Sequence, residues 1–241
     1  MTLNNFNGWQ PPKRRRLYLM RHGSVDYFDA AGKPVPPDTV PLNELGRAQA
    51  RAAGELFAQS GVVFDKVVIS GLLRTEQTAQ AVIAASAFKG EAQVREALQE
   101  IRPGRIGDIA PDQIVHAFTH AFAGASDPSA KFLGGETIAE LQARALPAFN
   151  ALMNEPDWQH LLLVLHGGVN RALLGHMITG APSFLGAIEQ TPACINVIDV
   201  GDAKDAQRYV VRGINLSPTQ WLHTNERLTT MEKLLAEFLG V

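Results

Sequence analysis

Cysteine is almost missing from this chain: Cys194 is the only one in 241 residues. A single thiol forms no internal disulfide and no cysteine metal cluster. Within the apolar run 193–200 it reads as a small core hydrophobe. Long apolar runs are missing as well. No stretch approaches the ~18 residues of a membrane-spanning helix. The first 16 residues lack the apolar core, roughly 7–15 residues long, of a secretory signal. These absences predict a soluble, cytoplasmic protein with no membrane partner. Nor is there an excess of charge, since the net value is −2. That leaves no electrostatic footprint for nucleic acid. The one basic cluster, Lys13-Arg14-Arg15-Arg16, reads as the solvated start of a strand. Internal repeats and low-complexity tracts are absent too.

What remains is an ordinary globular composition, 46% apolar. The length suits one large domain, expected over 16–241, preceded by a loose tail over 1–15. Leu17-Tyr18-Leu19-Met20 is an apolar run too short for a helix, and it stops abruptly at Arg21-His22-Gly23. Lys66-Val67-Val68-Ile69 stops in the same way at Ser70-Gly71. The unbroken run Leu161-Leu162-Leu163-Val164-Leu165, which suits a strand buried on both faces, stops at His166-Gly167-Gly168. A short strand within 91–98 and two later strands at 194–200 and 208–212 complete the set.

Helices are expected between them. The first spans 44–59, with Leu45, Ala48, Ala52 and Leu56 at steps of three and four. A second begins near Leu72 and carries Arg74 one turn after Ser70. Others cover 112–122, 136–154, 169–178 and 226–239. Ile138, Leu141, Ala145, Ala148 and Leu152 form one face of the 136–154 helix, and Pro147 predicts a kink in it. The stripe Leu228, Met231, Leu235 and Phe238 on the last helix reads as core packing, with a homodimer contact as the alternative. The loop 24–41 and an insert over about 109–135 have no clear periodicity. Alternation of strand and helix predicts an α/β fold: a three-layer αβα sandwich around a mostly parallel sheet.

In such a sheet the three strand ends lie on one edge, where ligands bind. Arg21, His22, Arg74 and His166 then share a crevice. Two arginine forks suit an anion with several oxygens, and a phosphoryl group is the natural candidate. The helix after Ser70 adds N–H donors, while Gly23, Gly167 and Gly168 let backbone approach closely. His116 and His120, four apart, lack a third ligand nearby, so no metal site is expected.

Arg21-His22-Gly23, Ser70-x-x-x-Arg74-Thr75-x-x-Thr78-Ala79, Leu98-x-Glu100-x-x-x-Gly104 and His166-Gly167-Gly168 occur in that order. Together they resemble the histidine phosphatase superfamily, which includes the cofactor-dependent phosphoglycerate mutases. The resemblance covers about 16–215. It implies a phosphoglycerate mutase-like fold and a histidine-acid-type phosphatase acting on a small phosphorylated metabolite without metal or other cofactor. His22 would attack phosphorus; Arg21, Arg74 and His166 would hold the phosphoryl oxygens, with Gly23, Ser24 and Gly167 also contacting substrate. Glu100 would protonate the leaving oxygen and then activate water, which requires a carboxyl pKa raised from about 4.3. Glu96 and Asp108 compete for that role. The loop departs from the family pattern, because Ile106-Gly107-Asp108 stands where Trp-Glu-Gly is common. Gly134-Gly135-Glu136-Thr137 resembles the family's Gly-Gly-Glu-Ser element, so Glu136 or Thr137 is a further candidate for the site edge.

The alternative is a phosphoglycerate mutase. Against it, Ser24-Val25-Asp26-Tyr27-Phe28 lacks the Trp and Asn that follow Arg-His-Gly in mutases. A second alternative is a scaffold that binds phosphate without turnover. Tyr27, Phe28, Phe118, Phe122 and Phe132 are candidates for an apolar wall around the substrate, or simply a small core of their own.

Overall fold

The computed structural model describes residues 12–29, 33–205, 207–224 and 226–240. Most of the expected tail, 1–11, lies outside the described residues, and so do 30–32 of the loop. Six strands form one sheet: β1 (Arg15–Arg21), β2 (Lys66–Ile69), β3 (Gln93–Val94), β4 (His160–Leu165), β5 (Ile195–Val200) and β6 (Tyr209–Leu216). Their order is β3-β2-β4-β1-β5-β6. The β1–β4, β2–β4 and β2–β3 pairings are parallel, whereas β5 alone is reversed and pairs antiparallel with both β1 and β6. The sheet is therefore mixed, with a parallel half that carries the motifs.

Side chains alternate across the sheet, as the strand period dictates. Leu17 and Leu19 of β1, with Val68, Leu161, Leu163 and Leu165, face one core; Tyr18, Met20, Val67, Ile69, Leu162 and Val164 face the other. Helices α4 (Ile138–Asn154) and α5 (Gly167–Thr179) cover the first face, and α1 (Glu44–Gln59) and α2 (Leu73–Ala84) cover the second. These are the three expected layers. Each leucine fully buried here contributes about 1.5–3 kcal/mol of transfer free energy. The basic cluster lies where expected, at the start of β1. Arg15 packs its guanidinium 3.8 Å over the Trp158 ring, and Arg16 pairs with Asp199 at 2.6 Å.

Several boundaries and faces differ from expectation for identifiable reasons. Leu45 is 59% exposed and Leu56 is 38% exposed, so the predicted face of α1 points to solvent. The buried face is Gly46, Ala50, Ala53, Gly54 and Phe57. Close approach, not side-chain bulk, selects it: a Cβ on Gly46 would lie 2.1 Å from the Ser24 carbonyl oxygen. Helix α4 starts at Ile138, since Thr137 is its N-cap in a capping box with Glu140. It continues as one element through Pro147.

The predicted helix over 112–122 shrinks to a 3-10 turn followed by α3 (Ile114–Thr119). Strand β6 extends four residues beyond the expected end at Arg212, to Leu216. The last helix, α6 (Thr230–Leu239), begins after a capping box formed by Thr229 and Glu232. Leu228 falls outside it and is exposed, while Met231 and Leu235 are buried in the core.

Candidate active site

Register brings the motifs together. Arg21 pairs with Leu165, and Ile69 with Val164, so the residues that follow each strand emerge side by side. The His22 N–H donates to the Leu165 carbonyl at 2.9 Å, and Ala193 N–H donates to the His22 carbonyl at 3.0 Å. Backbone on both sides thus fixes the ring of His22, which is 1% exposed.

The His22 ring has a defined tautomer. Its Nδ1 lies 2.7 Å from the Gly23 carbonyl oxygen. A carbonyl only accepts, so Nδ1 carries the proton and Nε2 keeps its lone pair. Burial, followed by the Arg74 and Arg21 cations, holds the His22 pKa well below 6.5. A neutral ring keeps the Nε2 lone pair available for chemistry. Gly23 lies against α1, where a Cβ would come 2.5 Å from the Gly46 carbonyl oxygen. Its N–H donates to Thr78 Oγ1 at 3.0 Å, and that hydroxyl donates to the Arg74 carbonyl at 2.7 Å. The first and second motifs are therefore bonded to each other.

His166 lies across the crevice, with ring centroids 5.2 Å apart. Its Nε2 meets Ser70 Oγ at 2.7 Å, and Ser70 Oγ meets Thr75 Oγ1 at 3.1 Å. Thr75 spends its own proton on the Leu72 carbonyl at 2.7 Å. Ser70 therefore donates to Thr75, and His166 Nε2–H donates to Ser70. This direction leaves the buried Nδ1 unprotonated, with no hydrogen-bond partner among the described residues. Burial, Arg74, His22, Arg21 and Arg144 together hold the His166 pKa well below 6.5.

Both arginines are buried and tethered at one end. Arg21 Nη1 donates to the Gln190 carbonyl at 2.5 Å, and Arg74 Nη1 donates to the Pro37 carbonyl at 2.5 Å. The Nε of each is buried and has no hydrogen-bond partner among the described residues. Two such cationic donors beside two histidines suit an anion with several oxygens.

Glu100 sits at the mouth of α5. Its Oε2 accepts from Gly168 N–H at 3.0 Å, and its Oε1 accepts from Val169 N–H at 3.1 Å and Ile101 N–H at 2.9 Å. The helix starts at Gly167, two residues earlier than expected, so the Gly168 and Val169 N–H groups belong to its first turn. A Cβ on Gly168 would come 2.6 Å from Glu100 Oε1. The rival carboxylates, Glu96 and Asp108, are exposed on 3-10 turns.

Ser24 Oγ accepts from Asn43 Nδ2 at 3.3 Å, and the Ser24 N–H donates to Gln49 Oε1 at 2.9 Å. It braces the start of α1. Glu136 and Thr137 are supports and not edges of the site. Thr137 caps α4, while Glu136 accepts from Arg144 Nε at 2.7 Å and from Arg102 N–H at 2.9 Å. Burial pushes the Glu136 carboxyl up, but those bonds bring it below its ordinary 4.5. Arg144 also donates to the carbonyls of Ala97, Gln99 and Glu100 at 2.8–2.9 Å. One guanidinium thus holds the entire Glu100 turn. Sequence reasoning missed Arg144, and no local pattern marks it, because its partners lie up to 47 residues away.

The aromatic candidates separate. Phe118 and Phe132 are core residues, and Phe28 packs on Phe238 with centroids 5.7 Å apart. Tyr27 lies against the small cluster of Val25, Val40 and Leu42. Phe122 lines a cavity of about 480 Å³ with Phe184, Glu189 and the buried Arg171. The Cys194 thiol is buried and pushed up to about 12, so it is inert packing. His116 and His120 stack on each other at 4.1 Å. Among the described residues, no group of three or more His, Cys, Asp or Glu side chains gathers to hold a metal. No helix among them is long and apolar enough to cross a membrane.

Known proteins are similar to this chain in sequence and in fold. Glucosyl-3-phosphoglycerate phosphatase from Mycobacterium tuberculosis is 30% identical over 179 residues, covering 67% of this chain and 74% of the relative. The 2,3-bisphosphoglycerate-dependent phosphoglycerate mutase from Rhizobium etli is 29% identical over 170 residues, covering 65% and 77%. The structure of the mycobacterial glucosyl-3-phosphoglycerate phosphatase with inorganic phosphate superimposes with a TM-score of 0.66 at 26% identity, covering 85% of this chain and 98% of that one. With the family model matching residues 17–212, the chain belongs to the histidine phosphatase superfamily, branch 1.

Proposed function

We propose that this protein is a metal-independent phosphomonoesterase that works through a phosphohistidine at His22. The observation that carries this reading is the buried, neutral His22 ring, with Nδ1 tied to the Gly23 carbonyl and two arginine cations beside it. In the first step Nε2 attacks phosphorus as the ester P–O bond breaks, and the alcohol leaves with a proton from Glu100. In the second step water attacks the phosphohistidine and gives its proton to Glu100. The P–N bond breaks, and inorganic phosphate departs with the His22 ring neutral again. Arg21 and Arg74 offset the charge on the equatorial oxygens in both transition states. His166 joins them by taking a proton from solvent at Nδ1 as the anion binds, since a phosphoryl oxygen there reverses the unfavourable field of the arginines.

A ring that stays neutral well into the acid range suits the acid-type subclass. Hydrolysis is favoured over mutase chemistry by Ser24-Val25-Asp26, where Ser24 and Asp26 both pair with Asn43 of the α1 cap. That pairing commits the segment to bracing backbone. The substrate is a small phosphorylated metabolite.

Phosphate release from a panel of phosphomonoesters in the presence of a chelator tests this reading. Turnover that disappears in His22→Ala supports it. Isomerisation of 3-phosphoglycerate dependent on 2,3-bisphosphoglycerate, with no net phosphate release, would replace it with the mutase.

A further inference from the structure

Arg21 has a second tether in addition to the Gln190 carbonyl. Its Nη1 also donates to Thr230 Oγ1 at 2.9 Å, and that hydroxyl donates onward to Glu189 Oε1 at 2.6 Å. Glu189 Oε2 faces Arg171 Nη2 at 3.4 Å. Arg171 is 3% exposed, lies 4.5 Å over the Phe122 ring, and donates Nη1 to the Gly167 carbonyl at 3.1 Å. The chain of contacts therefore starts at the last residue of β1 and ends at the first residue of α5. It joins the two arms of the crevice from behind. A Cβ on Gly167 would lie 3.2 Å from Arg171 Nη1 and 3.5 Å from Arg21 Nε, so both cations approach one point. Glu189, with Thr230 between it and Arg21, is the negative charge that separates them.

Thr230 has no other evident task. It is the first residue of α6, but Thr229 already caps that helix with Glu232.

We propose that Thr230, backed by Glu189, is a positioning residue for Arg21. Its hydroxyl is an acceptor towards the guanidinium and a donor towards the carboxylate, which fixes the rotation of the fork while Nε stays uncommitted. The C-terminal helix thereby completes the phosphate cradle from behind Arg21. This inference rests on the phosphoryl-transfer reading of the same crevice.

The test compares the full-length protein with Thr230→Val, Thr230→Ser and Glu189→Gln. Steady-state kinetics are read alongside the affinities for phosphate and for orthovanadate, whose trigonal-bipyramidal adducts mimic the transition state. Losing a hydrogen bond to a charged group predicts a fall of about 10- to 100-fold in kcat/KM for Thr230→Val, mostly in kcat. Vanadate binding should weaken more than phosphate binding, Thr230→Ser should restore both, and Glu189→Gln should reproduce part of the loss. Unchanged kinetics in Thr230→Val overturn the proposal. So does an equal loss in Thr230→Ser, or an equal weakening of both anions, because either outcome marks a packing effect. Glu189→Gln leaves α6 intact and decides the matter if Thr230→Val does not fold; vanadate affinity equal to the parent's then overturns the proposal. If the parent hydrolyses nothing, the phosphatase reading fails separately, and the two anion affinities still decide the role of Thr230.

Discussion

His22 Nδ1 lies 2.7 Å from the carbonyl oxygen of Gly23, its neighbour in the chain. This one contact orients the ring, sets its tautomer and leaves Nε2 as the free base. Burial, with Arg74 and Arg21 behind it, keeps the ring neutral well below pH 6.5. The acid limb of kcat/KM governed by His22 is therefore expected below the ordinary histidine range, with activity retained as pH falls past 6.5. A pH–rate profile on the free enzyme checks this, and a limb at or above 6.5 would contradict it.

The same shift predicts how stability depends on acid. His22 and His166 both have folded pKa values depressed below 6.5. Between those values and 6.5 the unfolded chain binds more protons than the native one, so stability is full above about 6.5 and declines as pH falls towards the folded values. Replacing both rings by Asn should flatten that decline in denaturant titrations at a series of pH values.

Glu100 depends on the missing side chain of Gly168. Gly168→Ala would push a methyl to 2.6 Å from Oε1 and displace the carboxylate. The expected loss on alkyl phosphates, whose leaving group needs a proton, is roughly 10²–10⁴-fold, as in Glu100→Gln. 4-Nitrophenyl phosphate, whose leaving group departs unaided, should be affected far less. Equal losses on both substrates would remove Glu100 from the acid role.

Arg144 should matter as much as a residue inside the crevice. Arg144→Met strands the Glu136 carboxylate, 8% exposed on its side chain, and releases three carbonyls of the Glu100 turn. The expected cost is about 3 kcal/mol of stability, together with a fall in kcat. Arg144→Lys should rescue neither, because a lysine point charge cannot span carboxylate and carbonyls together. Melting temperature and kcat measured on the same preparations check both effects.

Legibility in the sequence followed the range of the interactions. The parallel strands and their polar ends were readable because each apolar run is local and each motif follows directly from it. The crevice was therefore foreseeable from Arg21, His22, Arg74 and His166. The α1 face was not, because Gly46 and Ala50 bury themselves by closeness and apolar periodicity favours larger residues. Glu136 and Thr137 carry a site-like motif, yet one braces the loop and the other caps a helix. Arg144, Glu189 and Thr230 were invisible, since their contacts join segments dozens to hundreds of residues apart.

Trapping the intermediate on His22 tests the central claim most directly. The protein is mixed with a hydrolysable phosphomonoester, quenched in alkali to preserve a phosphoramidate, digested and analysed by mass spectrometry. The account predicts an acid-labile phosphoryl group on the peptide containing His22, absent in His22→Ala. Turnover without any phosphorylated peptide, or phosphate found on another residue, would contradict it.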